Sequence, residues 1–245
     1  MSNSSEGGGS GREIGPYSSI ALSGGGYVNQ MTGLPVYSVK IAQIASNSGF
    51  SQSLNLTYGF GAMNPVIQYN RDEPTEWAGL GWYLGTSYFY CVPVDTNYNM
   101  RYYYVYGTGS VSEVVITNDG KWRIKNDPYW YVEEKERLNG AVSKWAVTKP
   151  DGSIYSYSAT RLNTKLYFDT LGCARSNGQY PYKIDLSSAR DINGSGFDYQ
   201  YNVTNVTFSN WCGTVNPTYT QETYLKEITA NDNGDKLPGP FKTHY

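Results

Sequence analysis

Histidine is nearly absent from this chain: His244, next to the end of the sequence, stands alone. A Ser-His-Asp or Cys-His catalytic set, or a zinc site leaning on imidazole, has no material to build on. Cysteine is scarce as well. Cys91, Cys173 and Cys212 lie far apart and form no Cys-x-x-Cys pair, which excludes a zinc knuckle and a thiol redox motif. Their odd number leaves at least one thiol unpaired within the chain; the others are either idle thiols or one disulfide. Charge is thin, at 16% of residues and a net −2, and the Lys and Arg residues are scattered without a basic run. Nucleic-acid affinity rests on clustered cations, so no such partner is expected. No stretch approaches the roughly 20 apolar residues of a membrane span. The opening "MSNSSEGGGSGRE" lacks the apolar run of a signal peptide, so export would use another route or a leader not included here. "SGGGYV" has no following Lys-Ser/Thr and no helix to open, which excludes a phosphate loop.

What the chain has in quantity is tyrosine, 25 residues, and glycine, 27. Much of the apolar area must therefore come from rings with polar tips. Aromatics suit strands and glycine suits turns, so the composition is that of an all-β chain. At 245 residues it is long enough to bury a real core.

The patterning agrees. In "GFSQSLNLTYGFG", Phe50, Leu54, Leu56, Tyr58 and Phe60 share one parity and the polar residues the other, which predicts a half-buried strand. "LPVYSVKIAQI" before it alternates too, and "SNSG" between them makes the pair a hairpin. "SYFYCVPV" and "MRYYYVYG" are aromatic runs without clean alternation, as in strands covered on both faces. A strand leading through Asn-Gly or Asp-Gly into a second strand then recurs at "VVITNDGKWRIK", "WAVTKPDGSIYSYS", "SARDINGSGFDYQYNV" and "YLKEITANDNGDK". Those dipeptides supply the positive backbone angles of tight hairpin turns. "YVEEKERLNG" reads either as a short helix or as a charged strand. The predicted architecture is an antiparallel meander of hairpins forming a curved sheet or part of a β-shell.

"WAGLGWYLG", residues 77–85, alternates bulk and bareness. As a strand it puts Leu80, Trp82 and Leu84 on one face and Gly79, Gly81 and Gly85 on the other. Glycine inside a strand marks a bend, a bulge or the close approach of another backbone. Leu54, Leu56, Tyr58, Leu80, Trp82 and Leu84 are expected to be buried together. Trp82→Ala is expected to cost about 3 to 5 kcal/mol on that basis.

Paired carboxylates are the one enzymatic resource, and they would serve glycoside hydrolysis. Glu73 and Glu76 precede the Trp/Gly strand; the bland reading is a solvated loop. Glu133, Glu134 and Glu136 alternate with Lys135 and Arg137, the pattern of a solvated charged face. In "DINGSGFD", Asp191, Asn193, Ser195 and Asp198 are hard oxygen donors that could hold calcium, but Asn202 stands where an EF-hand needs its twelfth-position acid, and a hairpin turn explains the same residues. Sequons at Asn3, Asn55, Asn193, Asn202 and Asn205 permit glycosylation, with Asn55, Asn202 and Asn205 the candidates. No metal, nucleotide or other cofactor is expected.

Taken in order, the segments resemble the N-terminal part of RHS/YD-repeat proteins and the related SpvB-like and TcB-like toxin-shell proteins. The resemblance runs from "TGLPVYSVKI" through the "L-x-L-x-Y" strand in "GFSQSLNLTYGFG" to the G-x-G-W signature Gly79, Leu80, Gly81 and Trp82. It continues in "WAVTKPDGSIYSYS", "ARDINGSGFDYQYN" and "TYLKEITAND", and spans residues 27 to about 234. Two departures stand out: there is no long repeat array, core-ending "D-P-x-G-R" motif or cargo domain, and Ser195 and Gly196 replace the second Asn of the "D-x-N-G-N" unit. The resemblance implies strands winding into a shell with tyrosines along its wall, in an extracellular or exported protein. The expected organisation is a flexible Gly/Ser-rich lead (1–13), an RHS-like β domain (14–236) and a C-terminal tail or truncation point (237–245). The expected function is non-enzymatic, a structural module for encapsulation, adhesion or self-assembly. The alternatives are a carbohydrate-binding module using exposed Tyr and Trp, and a glycoside hydrolase. The expected partners are another copy, the remainder of a longer chain, or glycans. Residues 98–117, with Arg101 and Glu113 as the charges, read either as an unblocked sheet edge able to pair between copies or as a central strand already paired on both sides.

Overall fold

The computed structural model describes residues 20–22, 26–29, 34–46, 48–59, 82–95, 97–108, 110–168, 174–207, 218–231 and 238–244. Every element among them is a strand, and every strand pairing is antiparallel. The strands β1 (Ile20–Leu22), β2 (Gly26–Asn29), β3 (Leu34–Ala45), β4 (Ser51–Gly59) and β5 (Trp82–Leu84) form one sheet in that order. The predicted first hairpin is β3–β4, in register at Tyr37↔Tyr58 and Val39↔Leu56.

The second sheet begins as a meander of β6 (Tyr88–Pro93), β7 (Met100–Val105), β8 (Val111–Ile116), β9 (Trp122–Ile124), β10 (Asp127–Leu138), β11 (Ala141–Thr148), β12 (Ile154–Phe168) and β13 (Ala174–Arg190). The long strand β13 then returns to β6 through Lys183↔Tyr90, Ile184↔Phe89 and Asp185↔Tyr88, so these eight strands close into a barrel. Closure removes the edges that an open sheet of this length would expose. Just past the contact with β6, Ser188–Arg190 of β13 pairs with β14 (Gly196–Thr207), and β15 (Thr218–Asn231) and β16 (Pro238–His244) extend the sheet outward. The segment read as a C-terminal tail thus carries a sheet strand.

The hairpin turns share one design. At Ser46–Phe50, Thr117–Lys121, Lys149–Ser153 and Asp191–Ser195, the glycine N–H donates to the carbonyl of the first residue and the first residue's N–H donates to the carbonyl of the last. The glycines, Gly49, Gly120, Gly152 and Gly194, have φ between +76° and +85°. This is the three-residue loop ending in a left-handed glycine bulge. The tighter two-residue turn occurs at Asn139-Gly140, where both residues have positive φ and Leu138 pairs with Ala141. "YVEEKERLNG" is therefore the end of a strand and its turn, and its helical alternative falls. Its acids and bases alternate because they line an exposed ladder.

An eight-stranded barrel is just wide enough for side chains to fill, and here the filling is aromatic. Phe89 stacks on Trp145 with ring centres 5.0 Å apart and meets Tyr104 and Tyr157 edge-on at 5.0 and 4.9 Å. Tyr102 and Trp122 close on Trp145 edge-on at 5.4 and 5.2 Å. Val114, Ile124, Val132, Val147, Ile184 and Leu186 complete the core. Tyr88, Tyr90 and Val105 form a second buried cluster on the opposite parity, so β6 is covered on both faces as its uniform apolarity predicts.

The β3–β4 hairpin packs on the barrel end where β7 and β13 terminate. Leu54 is fully buried in the main core, Phe50 stacks on Phe197 at 5.8 Å, and Ser48 Oγ donates to Asp191 Oδ2 at 2.9 Å. Of the residues expected to be buried together, Leu54 and Leu84 are buried; Leu56, Tyr58 and Trp82 are only half-buried, and Leu80 lies outside the described residues. Tyr58 and Trp82 do meet, at 5.2 Å. The face they share opens toward β3, where Tyr37, Val39 and Ile41 are exposed, and so the deepest packing lies in the barrel instead. The edge reading of residues 98–117 is also overturned. β7 and β8 are each paired on both sides within the barrel wall, and Tyr104 points into the core.

Gly85, the last glycine of "WAGLGWYLG", marks a close approach of two backbones. Its N–H donates to the Asn55 carbonyl, and a Cβ there would lie 2.5 Å from the Gly107 carbonyl oxygen and 2.8 Å from that of Asn55. Two backbones approach where the first sheet hands over to the barrel, and neither can retreat as a flexible side chain would. Gly85→Ala is expected to lower stability by about 1 to 3 kcal/mol, the usual cost of forcing atoms into a filled site. Urea denaturation checks this; an unchanged midpoint would mean that the approach is looser.

Candidate functional site

The barrel interior could in principle hold a ligand or serve as a packed body, and its polar atoms bear on which. The Tyr104 and Tyr157 hydroxyls share a hydrogen bond at 3.0 Å, and Ser87 Oγ joins Tyr157 at 2.9 Å. Tyr102 accepts from the Val142 N–H at 2.9 Å, and Trp122 Nε1 donates to Glu134 at 3.3 Å. Cys91 Sγ donates to the Pro181 carbonyl at 2.6 Å. Burial pushes the Cys91 thiol up to about 12, well out of the range of a reactive thiolate. Burial likewise raises Tyr104 to about 12 and holds Tyr157 well above its ordinary value. These groups satisfy one another, which suits a wall of packed rings.

Each carboxylate of the Glu133–Glu136 cluster has its own base. Glu133 pairs with Lys135 at 2.7 Å, Glu134 with Arg137 at 2.6 Å and Glu136 with Lys144 at 2.5 Å, all on exposed sheet surface. Asp191 Oδ1 accepts the N–H groups of Asn193 at 2.8 Å and Ser195 at 2.9 Å, while Asp198 pairs with Arg190. The "DINGSGFD" oxygens thus build the turn and brace it. Among the described residues no group of three or more His, Cys, Asp or Glu side chains gathers as a metal site, and no helix is long and apolar enough to cross a membrane. Asn55 is half-buried in β4; Asn202 and Asn205 are exposed on β14, with Asn205 Oδ1 accepting from Thr220 at 2.9 Å. Gly79, Leu80, Gly81, Glu73, Glu76, Cys173, Cys212 and Asn3 lie outside the described residues.

Sequence reasoning passed over the outer wall at β8–β10. In "DPYWYV" every position but one is a ring or an apolar residue, so the inward parity is not legible. Val132 is buried and Trp130 half-buried, packing edge-on against Tyr104 at 5.9 Å, and Tyr129 and Tyr131 point outward, 89% and 48% exposed. Beside them an open cleft of about 730 Å³ is lined by Ile116, Asn118, Asp119, Arg123, Lys125 and Pro128, among others.

No protein-family model matches the sequence, and no curated protein matches it. Among solved structures the chain is similar to TcdB2-TccC3-TEV, at 15% identity and a TM-score of 0.48 over 97% of this chain and 11% of that one. It is similar to the Photorhabdus luminescens Tc holotoxin pore at 14% identity and a TM-score of 0.45, over 86% of this chain and 10% of that one. It is also similar to the N-terminal domain of effector protein SpvB from Salmonella typhimurium strain LT2, at 13% identity and a TM-score of 0.43 over 83% of this chain. The chain spans about a tenth of each of these Tc chains and 66% of the SpvB domain.

Proposed function

We propose that the chain is a non-enzymatic structural β module of an exported, RHS/YD-repeat-like protein, serving encapsulation, adhesion or assembly through its sheet surfaces. The observation that carries this reading is the filled barrel. Phe89, Tyr104, Trp145 and Tyr157 occupy its interior and the Tyr104 and Tyr157 hydroxyls bond to each other, so the closed sheet acts as a rigid body. The segments that resemble RHS shell proteins support it, because they fall on β3–β4, β11–β12, β13–β14 and β15 as successive hairpins. Among the described residues, the strands at the ends of the sheet orders, and so open to further strands, are β1 and β5 in the first sheet and β16 in the second.

Sedimentation and a glycosidase panel test the proposal together. Concentration-dependent association without turnover is expected. A clean monomer at high micromolar concentration would remove assembly between copies. Turnover abolished by replacing Glu133, Glu134 or Glu136 with Gln would replace the structural reading with an enzymatic one.

A further inference from the structure

Beyond its structural role, we infer that the outer wall at β8–β10 is a binding site for acidic oligosaccharides. Tyr129 and Tyr131 are both exposed and two residues apart, about 6.7 Å along an extended strand, in the stretch where β10 bulges away from β9. That spacing is of the order of one sugar ring. The strand is held from behind by Trp130, which packs on Tyr104 and Tyr106 at 5.9 and 6.1 Å and carries Lys149 Nζ over its ring at 4.8 Å. The two outward rings thus sit on a bulged stretch of β10 that is anchored to the barrel through Trp130 and Val132.

The chemistry around the rings selects the ligand. Glu113 faces both Arg101 at 3.6 Å and Lys125, and Asp119 faces both Lys121 at 4.0 Å and Arg123 at 3.8 Å. Two carboxylates against four cations leave this patch net positive on a chain whose total charge is −2. The cleft, which reaches the ring-bearing strand at Pro128, is lined by Arg123 and Lys125 against Asp119; these two cations can take a sugar carboxylate or sulfate and Asn118 can bond ring hydroxyls. A protein partner would favour a contiguous apolar centre depleted of charge, and here the two rings stand among ion pairs. A nucleic acid would need a longer run of cations to follow its phosphates.

The test uses the whole chain on a glycan array containing uronic-acid, sialylated, sulfated and neutral oligosaccharides, followed by titration of the best ligand. Acidic glycans should be retained over neutral ones, with affinity falling as salt rises. Tyr129→Ala with Tyr131→Ala should weaken binding roughly tenfold or more with an unchanged melting temperature, because both side chains are exposed. Lys125→Gln should reduce the preference for acidic over neutral ligands. The inference is overturned if the folded chain retains no acidic glycan or if the double variant binds as the parent does. Tighter binding of a single-stranded oligonucleotide through the same residues would also overturn it. None of these outcomes depends on whether the chain assembles.

Discussion

Replacing Trp145 by alanine is expected to lower stability by about 3 to 5 kcal/mol, the range for a large aromatic removed from a core. Trp145 is 1% exposed and sits where the rings of Phe89, Tyr102 and Trp122 converge, so its loss strips partners from three other side chains. The neighbours are themselves wedged between barrel strands and cannot collapse into the space. Among the described residues Trp145 Nε1 has no hydrogen-bond partner, so Trp145→Phe forfeits packing alone and should cost less than about 2 kcal/mol. Trp82→Ala, with a half-buried ring, should fall well short of the core value. Urea denaturation of the three variants gives the order directly. Equal losses at Trp145 and Trp82 would show that the packing centre is misplaced.

Alkaline pH should unfold this protein steeply. Tyr104 and Cys91 are raised to about 12 by burial, and burial also lifts Tyr90, Tyr157, Tyr180 and Tyr199 above the ordinary tyrosine value. In the unfolded chain the tyrosines lose their protons near pH 10. Between about pH 10 and 12 the native state keeps protons that the unfolded state has released, so stability falls as pH rises. Each such group removes about 1.4 kcal/mol per pH unit in that window, and several act together. The contribution of the tyrosines is intact below about pH 10, and that of Cys91 below about pH 9. Tyrosinate absorbance should therefore rise in two phases, first from exposed rings and then in a cooperative step coincident with loss of β structure. A single smooth titration with the fold intact past pH 12 would contradict the buried network.

Local features of this fold were legible because they are local. The alternation from Phe50 to Tyr58 placed β4, and each Asp-Gly or Asn-Gly turn that falls among the described residues sits in the hairpin expected of it. What the sequence conceals is pairing between distant strands. The β6–β13 closure joins Phe89 to Ile184, and neither segment carries a signal for the other. The same gap misdirected the core, since Trp145 lies in a run, "AVSKWAVT", that is buried on both parities and shows no amphipathic face. It also left β7 readable as an edge or as a central strand, and only the closed barrel decides for the second. The candidate sugar platform was hidden for a related reason: Tyr129, Trp130 and Tyr131 are all aromatic, and only the packing of Trp130 and Val132 decides which rings face out. The acidic cluster was easier, because Glu, Lys and Arg in alternation leave an exposed strand as the simplest home once the helix is set aside.

The closure itself is open to one decisive measurement, amide hydrogen exchange across β6 with nuclear Overhauser contacts between Phe89 and Ile184. The account predicts slow exchange on both edges of β6 and backbone contacts from Tyr88–Tyr90 to Lys183–Asp185, as in a strand paired with β7 and β13 together. Fast exchange along one edge of β6, with no contact between Phe89 and Ile184, would mean an open sheet and would contradict the sealed barrel.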